Sequence, residues 1–321
     1  MTRYVLKRIL LMIPVILGVA VLIFTIMSFI PGDPAELILG PMATQQEIEA
    51  YREVLGLNDP FIIRLGRFLY DLFIRLDLGV SYVDGVPVME TIVARLPQTL
   101  ILGLGSLIIT IMVSIPAGVL SAVSQDKFGD KITLVISLVF MSMPNFWLAM
   151  MLMLLFSLRL GWLPSYGMDS LKHFILPWAA GAIGGFASMI RQTRTSMLDV
   201  IRSDYVTTAR AKGCSNSAVI YKHALPNALI PIINMIGGRF AMIFAGSLIL
   251  ENVFSIPGLG QFMIQSLNNR DYPSVQGVII FESVICGIIL LLVDLAFAAV
   301  NPRIKAQFAS AKKKKAVKSN D

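Results

Sequence analysis

An all-α membrane protein that crosses the bilayer six times is the fold class this sequence predicts, and three observations predict it. Hydrophobic residues make up 56% of the 321, and charged residues only 15%. Mean hydropathy is +0.74, which leaves too little polar side chain to cover a water-soluble surface. Six stretches reach the roughly 17–25 apolar residues that a bilayer-crossing helix needs.

In order, these are Ile9–Ile30, Thr99–Val123, Ile132–Ser157, Phe174–Ile190, Ala228–Leu250 and Gly277–Val300. The first is too long for the apolar core of a cleaved signal peptide, and Pro31-Gly32-Asp33-Pro34 follows it where a small-residue cleavage site would stand. The fourth is short, contains Pro177 and is diluted by Gly181, Gly184 and Gly185. Small residues let neighbouring helices approach closely, so this stretch reads as a buried span. The chain divides into residues 1–30 (N-terminus and first span), an external segment 31–98, a five-helix core 99–300 containing the connection 191–227, and a basic tail 301–321.

Charge orients these spans. Arg3, Lys7 and Arg8 precede the first. Arg191, Arg194, Arg202, Arg210, Lys212 and Lys222 populate the connection 191–227. Arg303, Lys305, Lys312–Lys315 and Lys318 populate the tail. Segment 31–98 instead has ten acids against five arginines. The positive-inside rule therefore places both termini and 191–227 in the cytoplasm, as an even number of spans requires. The tail reads as a segment lying near anionic lipid; it is not read as a nucleic-acid site.

The external segment reads as helical. Thr44-Gln45-Gln46-Glu47 is a capping box opening a helix that Gly56 can close. Asp59-Pro60 opens a second, with Pro60 at its first position, and Phe61, Leu65, Phe68, Leu69 and Leu72 recur at helical spacing until Asp77-Leu78-Gly79. Two compatible readings stay open: a lid of amphipathic helices on the outer membrane face, and a docking surface for an external partner.

No catalytic constellation is present. His173 and His223, the only histidines, fall at opposite membrane ends, and no metalloprotease, nucleophile-elbow or phosphate-loop motif occurs. Cys214 and Cys286 fall on different levels of the topology, which argues against a disulfide. Met141, Met143, Met150, Met151 and Met153 lie on or beside one span, either as packing and lipid-facing residues or as a pliable surface for varied solutes or a soft metal. Arg239 falls in the middle of the fifth span, where an arginine costs about 2.5–3.5 kcal/mol without a partner. It is read either as half of an internal ion pair with Glu282 or Asp294, or as part of a solute pathway.

The connection between the fourth and fifth spans is the most informative segment. It reads as a helix from Asp204, a turn at Gly213 and a second helix leading into Leu225-Pro226. Glycine takes the left-handed conformation at little cost, where other residues lose roughly 1 kcal/mol or more. A long, ordered, basic connection suggests a docking surface.

This segment resembles the cytoplasmic signature of binding-protein-dependent ABC importer permeases. Gly213 and Leu225-Pro226 match that signature, while Thr207, Thr208 and His223 stand where it has glutamate, alanine and isoleucine. These departures resemble the dipeptide/oligopeptide/nickel permease subfamily, in its first-permease type with a large external loop. Supporting stretches run along nearly the whole chain: Pro31-Gly32-Asp33-Pro34, Leu55-Gly56-Leu57-Asn58-Asp59-Pro60, Arg95-Leu96-Pro97-Gln98-Thr99, Pro144-Asn145-Phe146-Trp147-Leu148 and Glu251–Gly260.

The resemblance implies the type I ABC importer transmembrane fold in the inner membrane of a bacterium or archaeon. It implies a subunit that is not itself an enzyme and pairs with a second homologous permease. Two cytoplasmic ATPases, which bind ATP and Mg, and an extracytoplasmic solute-binding protein complete the assembly; no cofactor is expected in this chain. Tyr205, Thr207, Thr208, Ala209, Ala211, Gly213, Leu225 and Pro226 would form the ATPase-coupling surface. Ser255, Pro257, Gly258 and Gly260 would help gate the external mouth, or merely link to the next helix. Peptides are the commonest cargo of the subfamily; nickel, glutathione and other solutes stay open. The rival class is an ion-coupled secondary transporter using Arg239, Glu282 and Asp294 as a relay, which would have no use for the 204–226 segment.

Overall fold

Fourteen helices run through residues 2–300, the part of the chain that the computed structural model describes. The basic tail expected beyond Val300, Lys312–Lys315 included, lies outside the described residues. Among the described residues there is no strand, only an isolated antiparallel bridge between Val80 and Pro87. The chain divides into two units, one of residues 2–100 and 255–287, the other of 101–254 and 288–300.

The first unit begins with α1 (Thr2–Phe29), followed by α2 (Pro34–Leu39), α3 (Gln45–Val54) and α4 (Phe61–Tyr70). The expected capping box is formed: the Thr44 side chain accepts from the Glu47 backbone while Glu47 accepts from Thr44 N at 2.7 Å. Gly56, at φ +65°, closes α3, and the N–H groups of Gly56 and Leu57 turn back to the carbonyls of Glu53 and Arg52. Pro60 stands one place earlier than expected, as the residue capping α4. The apolar face of α4 packs on α1, with Phe68 stacked on Phe24 at 5.1 Å and Phe61 5.6 Å from it. A π-helical turn, Asp71–Arg75, extends α4 and ends at Leu76 in the left-handed region, just short of the expected Asp77-Leu78-Gly79 stop.

Three groups converge on Asp271, a carboxylate only 2% exposed. The hydroxyls of Ser81 and Ser274 each donate to it at 2.7 Å and Tyr82 N at 2.9 Å. The loop after α4 is thereby fastened to the start of α14 (Tyr272–Val300). A buried carboxylate is tolerable only when hydrogen-bonded in this way.

The second unit is organised by α8 (Lys172–Ile201), half buried along its most apolar stretch. It packs against α6 (Phe128–Ser142), α7 (Asn145–Leu152) and α11 (Leu225–Ala241), and meets residues 101–123 of α5 (Val88–Val123), the part of that helix in this unit. Glycines set the close approaches. A Cβ on Gly118 of α5 would stand 2.5 Å from the Thr193 Cβ of α8, and one on Gly105 would stand 2.1 Å from the Trp178 ring nitrogen. Trp178 in turn donates to the Ile101 carbonyl at 2.9 Å.

Two of the expected spans are broken. The third is interrupted at Met143-Pro144, where α6 and α7 meet at a 99° bend. Proline disfavours the helical conformation of the residue before it, and Met143 is extended at φ −87°, ψ 126°. The fifth is interrupted at Met242, between α11 and α12 (Ile243–Val253). Four helices, including α1, α5, α8 and α14, are continuous and apolar over a membrane-crossing length, and the bent α6–α7 pair makes a fifth candidate among the described residues.

Candidate functional site

Two features of the second unit concentrate unusual local structure: the 204–226 segment and the surroundings of Arg239. The segment opens with Ser203, extended at φ −77°, ψ 151°, followed by α9 (Asp204–Ala211). Gly213 has φ +80°, the left-handed turn its sequence context predicts. Its N–H bonds to Arg210 O at 3.0 Å, and Cys214 N reaches Ala209 O at 3.3 Å. That pair of reversed bonds is the Schellman ending, and it satisfies two carbonyls the helix would otherwise leave open.

The chain then returns through α10 (Asn216–Ala218), whose first turn is capped by the Ser215 side chain, and through the π-helical turn Val219–Ala224. Leu225 and then Pro226 follow, in the first turn of α11. Proline has no N–H to give and crowds the carbonyl four residues before it, which a widened turn accommodates.

One face of this returned pair is buried. Val206, Ala209, Val219, Ile220 and Ala224 form a cluster with Val119 and Ala122 of α5 and Met197 of α8. The opposite face is open: Tyr205 is 45% and Tyr221 56% exposed, and Thr207, Thr208, Ala211, Gly213 and Pro226 are exposed as well. Of the residues expected on the outer surface, Ala209 is turned inward instead, and Leu225 is half-buried against the same cluster. Small size at position 209 therefore serves packing within this chain.

Arg239 occupies the end of α11 and donates a hydrogen bond to the Ser188 hydroxyl of α8. It lines two hollows. One, about 210 Å³, is bounded by Ser106 and Thr110 of α5, Asn145 of α7, Gly184 of α8 and Ser247 of α12. The other, about 720 Å³ and open, is bounded by Ser188 and Gln192 of α8, Pro231 and Asn234 of α11, and Met242 at the break. Glu282 and Asp294, the acids considered as ion-pair partners of Arg239, are both half-buried on α14, and neither is without a partner.

In the first unit, Ser255 is left-handed at φ 52°, and Gly258 caps α13 (Leu259–Asn268), which contains Gly260. Ile256 and Leu259 on either side of Gly258 are fully buried, and Leu259 N donates to the buried Thr99 hydroxyl at 2.9 Å. Pro257 is half-buried. This turn is therefore anchored at both ends by burial.

Sequence reasoning did not single out Ser121, Asp130, Arg194 or Ser188. Asp130 is 1% exposed and accepts two bonds from Arg194, both at 2.7 Å, one from the Ser121 hydroxyl and one from Asp126 N at 3.0 Å. The charged pair at 130 and 194 was visible as two residues, but nothing local announces a partnership across 64 positions.

Comparison with known proteins agrees with this architecture. The family model for the binding-protein-dependent transport system inner membrane component matches residues 114–306, and the N-terminal model of the same transport systems matches residues 1–103. The dipeptide transport system permease protein DppB of Alkalihalophilus pseudofirmus is 39% identical over 333 aligned residues, covering 95% of this chain and all of that one. The glutathione transport system permease protein GsiC of Salmonella paratyphi A is 41% identical, covering 95% and 99%. An inward-facing structure of the MetNI methionine ABC transporter overlays with a TM-score of 0.56 at 21% identity, covering 66% of this chain and 97% of that one, a likeness of fold.

Proposed function

The chain belongs to the family of binding-protein-dependent transport system inner membrane components and is a multi-pass permease subunit of an ABC importer; from that premise we propose that it moves di- or oligopeptides inward. The named cargo of its relatives, dipeptides and glutathione, supports a peptide-like solute with a free carboxylate. The chain pairs with a second permease subunit and receives solute from an extracytoplasmic binding protein. Two cytoplasmic ATPases supply the free energy by binding and hydrolysing ATP with Mg.

The observation that carries the coupling role is the 204–226 segment. Its inner face is locked to α5 and α8 by a buried cluster, while Tyr205, Thr207, Thr208 and Tyr221 remain open on the outer face. A helix pair held on one side and free on the other transmits a push from a partner to the spans that hold it. In this reading both termini and the segment are cytoplasmic, 31–98 is external, and the Ser255–Gly260 turn lies at the external mouth.

The test is uptake of a labelled dipeptide into vesicles. ATP-driven uptake should require the chain together with the second permease and the ATPases. Uptake by this chain alone under an ion gradient would establish a secondary transporter instead.

A further inference from the structure

Among the described residues, Arg239 is the only charged one lining either hollow that it borders. A guanidinium carries five N–H donors, and its partner here is the uncharged Ser188 hydroxyl. Among the described residues no carboxylate lines these hollows, so the guanidinium is left with a neutral partner on an apolar helix, where an uncompensated charge is costly. The surroundings are cut to admit it. A Cβ on Gly185 would stand 2.9 Å from Arg239 Nη1 and 2.9 Å from Thr110 Cγ2, so a larger residue there would drive the guanidinium off the α8 surface.

The other polar groups do not replace a counter-ion. The hydroxyls of Ser106 and Thr110 donate to backbone carbonyls of their own helix, at 2.9 and 2.7 Å. Gln192 donates to Ser196 at 3.1 Å. The hollows thus offer one strong, fixed attraction, for a small anionic group, amid neutral polar and apolar walls.

We propose that Arg239, between these two hollows, binds the carboxylate of the solute during its passage. The proposal rests on the chain being the translocation subunit. It extends that reading by naming the chemical group recognised and the residue that recognises it.

The test reads the site's charge without requiring transport. With Cys214 and Cys286 replaced by serine, Asn234→Cys in the broad hollow is labelled in native membranes with anionic ethylsulfonate and cationic trimethylammonium thiol reagents. Arg239→Gln should lower the anionic-to-cationic rate ratio about tenfold, and Arg239→Lys should largely keep it. In the chain with Arg239 intact, Ala-Ala should slow the labelling and its C-terminal amide should not. An unchanged ratio in a folded Arg239→Gln chain, equal protection by acid and amide, or no protection by Ala-Ala would each overturn the proposal. The protection arm needs no change at Arg239, so a variant that fails to fold leaves it decisive. Loss of ATP-driven uptake alone would count against the importer reading and would not alter this readout.

Discussion

The Arg194 guanidinium grips the Asp130 carboxylate with both edges, Nε to Oδ1 and Nη2 to Oδ2, each at 2.7 Å. Asp130 is almost wholly buried at the start of α6, and Arg194 lies on α8 with its side chain 20% exposed. The Ser121 hydroxyl and Asp126 N complete the carboxylate's partners. Bidentate geometry fixes direction as well as distance, so this pair holds α6 against α8 in one orientation.

Removing one member should therefore cost more than removing both. Asp130→Asn leaves Arg194 without a counter-charge and should lower stability by about 3 kcal/mol, the scale for breaking a buried pair. Asp130→Leu with Arg194→Met should recover most of that loss. Thermal unfolding in detergent micelles measures both, and equal loss in the single and double variants would show that the charges are not coupled.

Glycine at 118 is a packing requirement. Valine there would press on Thr193 Cβ at 2.5 Å and on the Ile190 carbonyl at 2.9 Å, and overpacking of this kind costs about 1–3 kcal/mol. Gly18 on α1 is the matched control, since nothing lies within 4 Å of an added Cβ. Gly118→Val should reduce the yield of folded protein by size-exclusion profile, and Gly18→Val should not.

Gly213 is a conformational requirement, because no atom lies within 4 Å of an added Cβ and φ is +80°. Gly213→Val should be strained by about 1–2 kcal/mol, whereas Gly213→Asn tolerates the left-handed region. The spans are untouched by either change. ATPase co-purification should weaken in the valine variant and stay near wild type in the asparagine variant; equal recovery would remove backbone strain as the cause.

Topology is tested by labelling exposed positions. In a chain lacking Cys214 and Cys286, Gln46→Cys should react with an impermeant thiol reagent in intact cells. Asn216→Cys should react only after permeabilisation. The reverse pattern would contradict the orientation.

Local features of the fold were legible in the sequence; distant ones were not. The Thr44–Glu47 box and the turns at Gly56 and Gly213 follow from residues within a few positions of one another. The break at Met143-Pro144 was also written locally, in a proline at the middle of an apolar run, but the uninterrupted hydrophobicity of 132–157 pointed to one continuous span. The break at Met242 has no proline beside it; the nearest sequence signal is Gly237-Gly238. Asp130 with Arg194, and Asp271 with Ser81, join residues far apart in the chain, and pairing of that kind depends on the packed helices. Around Arg239, the glycines of the fourth span signalled close approach without revealing that Ser188 would meet the guanidinium.

The central claim is that the open face of the 204–226 segment docks an ATPase, and photo-cross-linking tests it most directly. Benzoylphenylalanine placed at Tyr205, 45% exposed on that face, is compared with the same group at Tyr166, 73% exposed in the loop between α7 and α8. In membranes containing the complete importer, illumination should join the residue-205 variant to an ATPase subunit, and the residue-166 variant should give no such product. An ATPase adduct absent at 205, or equally abundant at 166, would contradict the account.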